Sequence, residues 1–183
     1  HRHFFNGGAL YVDSANPQWD PAHPERNQPA ARLAQRTGEV DRAMVTESAR
    51  WGDGALNNPA TYTRDTNWVI ERNWALNTLM PQRSAIVLQQ LRDAGLYSAV
   101  VAPAFSQHGG SVPAGFQLAI TAPDGTIYFT TDGSDPRVAL TGAVSPSAAA
   151  YSAPFSLPGG VTTVKARVLL SGVWSALNEA AFE

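Results

Sequence analysis

Asp132, Ser134 and Asp135 set three oxygen-bearing side chains within four residues. Hard cations such as calcium are held by such clusters of carboxylate and carbonyl oxygens. The same residues have a second use, because Asp side chains accept hydrogen bonds from backbone N–H groups just downstream and close turns. With Gly133 and Pro136 interleaved, the simpler reading is an Asx-type turn, and cation binding by Asp132 and Asp135 stands as the alternative. The imidazoles are His1, His3, His23 and His108. His1-x-His3 has ligand chemistry, but residues two apart on a helix point to opposite sides, so these histidines are expected at the surface or capping a core.

Glu39, Asp41 and Glu47 fall along one expected helix and read as its solvated face. Glycosidase chemistry needs two carboxyls roughly 5–9.5 Å apart across a sugar cleft, and nothing in the sequence signals one. There is no G-x-S-x-G elbow for a serine nucleophile. A glycine-rich strand-to-helix loop with a Walker-type lysine is also missing. No catalytic, cofactor-binding or metal-ligating residue is therefore assigned, and no cofactor is expected. Of the five tryptophans, Trp51, Trp68 and Trp74 sit on apolar helical stripes and are expected in a core or at a domain contact. Trp174, beside the Gly172 turn, and Trp19, in a proline-rich stretch, are the rings that would be free to stack on a glycan.

Composition narrows the partners. The formal net charge of −2 gives no electrostatic basis for binding nucleic acid or an anionic membrane. No apolar run approaches the roughly 20 residues that span a bilayer. Without cysteine, disulfides, thiolate nucleophiles and cysteine-based metal sites are excluded. The 183 residues suffice for two small domains with buried cores. The start at His1, without Met or a leader pattern, reads as that of a fragment or processed product.

The elements that would position these residues divide in two. Residues 1–105 read as helical with long polar connections, and residues 106–183 as β-rich. His1–Gly8 resembles a last helical turn closed by Asn6-Gly7-Gly8. Pro17, Pro21, Pro24 and Pro29 make residues 13–29 a long loop. The pattern Leu33, Arg36, Val40, Ala43, Met44 and Glu47, with its spacings of three and four, predicts an amphipathic helix from Ala30 to about Arg50, ended by Trp51-Gly52-Asp53-Gly54. A second helix is expected to start at an Asp65 or Thr66 cap and carry Trp68, Val69, Leu76 and Leu79. A third would be opened by Pro81, carry Ile86, Val87, Leu88 and Leu91, and close at Gly95. Their stripes are expected to pack on one another or on a further domain.

Strands are expected near 116–121, 126–131, 161–170 and 176–182, with weaker ones at 138–140 and 148–157. Turns at Pro123-Asp124-Gly125 and Ser171-Gly172 would connect them. Short strands without helical period between them favour an antiparallel sandwich.

The stretch Gly125-Thr-Ile-Tyr-Phe-Thr-Thr-Asp-Gly-Ser-Asp-Pro-Arg137 resembles the signature of the chitobiase/β-hexosaminidase C-terminal domain, an immunoglobulin-like β-sandwich. Tyr151–Phe155 and Thr162–Val168 resemble that family's later turn and strand, and the likeness covers roughly residues 98–183. The resemblance implies an accessory module without a catalytic centre. His3–Leu10, Val45–Asp53 and Gln89–Tyr97 resemble the end of the spore-coat protein H (CotH) kinase-like domain, over about residues 1–105. The nucleotide-binding residues of that family lie in a part preceding the one that His1 begins, so none is carried over.

The expectation is thus an α+β chain. A helical segment, residues 1–105, precedes an immunoglobulin-like sandwich, residues 106–183. Its expected role is a non-catalytic structural, adhesive or spacer segment of a secreted or cell-surface bacterial protein. Other subunits, cell-surface components and a glycan are its expected partners; nucleic acid and a membrane span are excluded. The alternatives are the C-terminal fragment of an atypical CotH-type protein kinase, and a glycan-binding accessory module.

Overall fold

A computed structural model describes residues 1–52 and 61–183. By contacts the chain forms two compact units, His3–Leu88 and a second made of His1–Arg2 with Gln89–Glu183. The expected boundary at 105/106 thus differs from the contact boundary at Leu88. The first is helical and the second is built on antiparallel sheets, so the coarse α+β class holds.

No helix occupies residues 1–8. The chain there makes tight turns, with Asn6 and Gly7 both at positive φ, 54° and 74°. The proline-rich stretch is a loop with one 3-10 turn, Pro24–Arg26. It is tied down from below: the buried Asn27 donates its amide N–H to the carbonyl of Pro17 at 2.8 Å. The same side chain caps helix α1, Gln28–Trp51, by accepting from the backbone N–H of Ala30 at 3.0 Å. Pro29 sits in the first turn, where its missing N–H costs nothing. At the far end Gly52 is required by crowding, since a Cβ there would lie 2.1 Å from the Tyr62 carbonyl oxygen. Asp53 and Gly54, expected to end α1, lie outside the described residues.

The two later helices are one uninterrupted helical run. Thr63, rather than Asp65 or Thr66, is its cap, accepting from the Thr66 N–H. A π turn, Arg64–Trp68, leads into α2, Val69–Trp74; a second π turn, Ala75–Leu79, leads into α3, Met80–Asp93. Pro81 therefore does not open a helix. Its ring would collide with the carbonyl four residues back in a regular α-helix, and the widened turn just before it, in which the Met80 N–H bonds the Ala75 carbonyl, provides the room.

The helical stripes are thinly covered. Leu76, Pro81 and Ser84 are buried, whereas Val40, Val45, Ile70 and Ile86 are exposed. Of the three acids expected on the solvated face of α1, Asp41 is half-buried: it lies between Arg64, at 2.6 Å, and Arg72, at 3.6 Å. Both arginines stand on the following helical run, so long-range pairing overrides the pattern read along α1.

In the β-rich unit nine strands are formed: β1 Ala104–Phe105, β2 Gln117–Leu118, β3 Ile120–Thr121, β4 Thr126–Thr130, β5 Ala149–Ala150, β6 Phe155–Ser156, β7 Thr162–Leu170, β8 Val173–Trp174 and β9 Asn178–Phe182. The main sheet runs β5-β4-β7-β8, with β9 also paired to β7; β1 pairs with β3 and β2 with β6, all antiparallel. The expected strand at 116–121 splits in two with different partners. The weak strand at 138–140 is a loop in which Leu140 takes φ 66° and is fully exposed. Ser171 and Gly172, at φ 48° and 81°, form the two-residue turn with both residues left-handed that matches the natural twist of the β7–β8 hairpin.

Strand β7 alternates strictly. Thr162, Val164, Ala166 and Val168 are buried, while Thr163, Lys165, Arg167 and Leu169 point the other way and are half-buried. The inner set joins Leu118, Ile120, Ala180 and Phe182 in the core, with Phe105, Ile127, Phe129 and Phe155 packed against it. Phe129 and Phe155 stack with ring centroids 4.4 Å apart.

Candidate functional site

The Asp132–Arg137 segment folds over the outer face of the main sheet. Register places Tyr128 of β4 opposite Arg167 of β7, and Leu169 opposite Trp174 of β8, so these side chains share one face. The Arg167 guanidinium donates through Nε to Asp135 Oδ1 at 2.7 Å and through Nη2 to Oδ2 at 2.8 Å, a fork matched to the carboxylate. Its remaining Nη1 donates to the Ser175 carbonyl at 2.7 Å. Arg167 thereby ties the loop to β7 and to the segment that follows β8.

The rest of the segment closes on itself. Asp132 Oδ1 accepts from the Ser134 N–H at 2.9 Å and from the Ser134 hydroxyl at 2.6 Å, which is an Asx turn. The buried Thr130 hydroxyl donates to the Ser134 carbonyl at 2.6 Å. Asp135 Oδ1 also accepts from the Arg137 N–H at 2.9 Å, and Pro136 is fully buried. Both carboxylates are held below the ordinary range. For Asp132 the cause is the hydroxyl of Ser134, then its N–H. For Asp135 burial pushes upward most strongly, but the bonds from Arg167 and the Arg137 N–H and the charges of Arg167 and Lys165 together outweigh it.

Both oxygens of Asp135 are thus engaged by Arg167, and Oδ1 of the exposed Asp132 closes the turn. Among the described residues no group of three or more His, Asp or Glu converges as a metal site. His1 Nδ1 lies 2.8 Å from the Tyr97 hydroxyl, His23 pairs with Glu25, and His108 stacks on Phe105. His3 stands on a turn, and neither it nor His1 is on a helix.

The tryptophans reverse the expected order. Trp51 and Trp74 are exposed, at 60% and 51%, while Trp19, Trp68 and Trp174 are half-buried. Trp174 has an aromatic neighbour, Tyr128, at 5.7 Å between centroids, and its indole N–H donates to the Gly142 carbonyl at 2.7 Å. It borders an open, polar cleft of about 490 Å³ with Arg137 and Thr141. Its polar edge is used inside the fold.

Sequence reading missed Arg167, Trp174 and Ser175 as members of this cluster. The available signal was an arginine on the outward register of a nine-residue strand, downstream of an Asp-rich turn.

A family model described as Fn3 associated matches residues 116–173, the span that holds the loop, Arg167 and most of the sheet. No curated protein and no solved structure matches the chain. Among the described residues no helix is long and apolar enough to cross a membrane.

Proposed function

We propose that the β-rich unit is a non-catalytic structural module, a spacer or adhesive segment with an immunoglobulin-like sandwich fold, within a secreted or cell-surface protein. One observation carries this reading: the Asp132–Arg137 segment is closed on itself by the bonds of Asp132 Oδ1 to Ser134 and is held to the sheet by Thr130 and by the Asp135–Arg167 fork, so these side chains serve the loop's own structure. A reacting group must keep an atom free to meet substrate, and both oxygens of Asp135 are engaged by Arg167. The match to an Fn3-associated model and the resemblance to chitobiase C-terminal modules support an accessory role. The resemblance of residues 1–105 to the end of a CotH kinase-like domain supports a parent protein in which the module follows such a domain.

The test incubates the purified chain with ATP and a protein acceptor, and separately with chromogenic glycosides. Turnover at the enzyme-free background and a β-rich unit that resists trypsin at Lys165 and Arg167 are the expected results. Phosphate transfer or glycoside cleavage lost on substitution of residues in this chain would overturn the reading.

A further inference from the structure

The helical unit holds a pocket of about 330 Å³ whose walls are apolar and whose charges are all of one sign. Leu10, Met80 and Val87 contribute apolar wall; Arg32, one turn into α1, and Arg83, in the first turn of α3, contribute the charge. No carboxylate lines it, and the first turn of α1 carries no acid. Among the described residues neither arginine has an acidic partner. Ser84 also lines the pocket; it is only 8% exposed, and its buried Oγ has no hydrogen-bond partner among the described residues. Buried hydroxyls are nearly always bonded, and one left alone is costly.

We propose that this pocket binds a medium-chain fatty acid, its carboxylate held by Arg32 and Arg83 and its alkyl tail against Leu10, Met80 and Val87. Three independent features point to that chemistry. The volume falls within the range of roughly 300–1,000 Å³ usual for small-molecule sites, which are mostly apolar with a few placed polar groups. Two unneutralised guanidinium groups at an apolar mouth suit a carboxylate, which they can grip in fork geometry. The orphan Ser84 hydroxyl gains a partner when an acceptor oxygen enters. A small inorganic anion would leave the apolar walls unused, and a neutral hydrocarbon would leave the two cations unused. A peptide C-terminus would bring further N–H and C=O groups, and the pocket offers them few partners. This binding site is independent of the spacer reading, which concerns the β-rich unit.

The test titrates the full chain with octanoate, following backbone amide shifts at Ser84 and Val87 and the heat of binding. Saturable shifts at both residues are expected. Octanol should bind about tenfold or more weakly, since it loses the charge-assisted bonds. An R32Q/R83Q variant should lose about the same factor, with circular dichroism reporting its fold. A V87W variant should fill the space and abolish the shifts while keeping both charges. Should the double arginine variant fail to fold, the octanoate–octanol ratio on the native chain decides. Equal affinity for octanoate and octanol, no saturable shift with octanoate, or tighter binding of a peptide ending in a free apolar carboxyl residue would each overturn the proposal.

Discussion

Removing Asp135 should loosen strand β7, and a double-mutant cycle with Arg167 isolates how much of the loss belongs to the pair. A hydrogen bond to a charged group contributes about 1.5–3 kcal/mol when desolvated, and an exposed ion pair only about 0.2–1 kcal/mol. The Arg167 side chain is 16% exposed and that of Asp135 36%, so the pair sits between these limits. A coupling of about 1.5 kcal/mol is expected, with a total cost near 2 kcal/mol for D135A because the guanidinium keeps its bond to the Ser175 carbonyl. The assay is native-state amide exchange of Ala166 and Val168 in wild type, D135A, R167M and the double variant, which reads opening of this strand separately from the helical unit.

Exchange should accelerate by roughly tenfold or more in D135A. The effect has a definite pH dependence. The Asp135 carboxyl is held below its unfolded value, so its contribution is full above the ordinary carboxylate range, near pH 4, and fades as pH falls through the lower folded value. The wild type and D135A should therefore differ most at pH 6–8 (roughly, by the same linkage) and converge in strong acid. A coupling below about 0.3 kcal/mol at neutral pH would refute the claim that this pair locks the loop.

Two further substitutions probe the same face. W174F keeps a ring against Tyr128 but deletes the bond to the Gly142 carbonyl, and chemical denaturation should show a loss of about 1 kcal/mol; no loss would mean that the bond contributes nothing. G125A places a Cβ 2.7 Å from Val168 Cγ1 and 2.9 Å from the Leu169 carbonyl at a residue with φ 84°, so it should cost about 2 kcal/mol or more, checked by the same denaturation.

The β-rich unit was legible wherever local pattern decides structure. Ile127 and Phe129 announce by alternation the face that packs against the core, and Ser171-Gly172 announces a hairpin by its tolerance of positive φ. Long-range choices left no such trace. The partner of Arg167 lies 32 residues away, and that of Asp41 lies 23 residues away on another helix, so their chemistry reads locally as a turn and a solvated acid. Pro81 carries the mark of a helix start, and only the π turn ahead of it lets the helix run through. The stripes bearing Trp51 and Trp74 show which face is apolar but not whether anything covers it, which is why both rings are exposed where burial was expected. The pocket at Arg32, Arg83 and Ser84 gathers three separate stretches of chain, and no spacing along the sequence reveals it.

The most direct test of the structural reading is the Arg167 side-chain Nε–H signal in a nitrogen–proton correlation spectrum, followed during a calcium titration. A resolved, slowly exchanging resonance at neutral pH that is indifferent to calcium and disappears in D135A is the predicted result. A signal that shifts saturably with calcium, together with movement of the Asp132 and Asp135 carboxyl carbons, would show that these oxygens are free to bind a cation and would contradict the account.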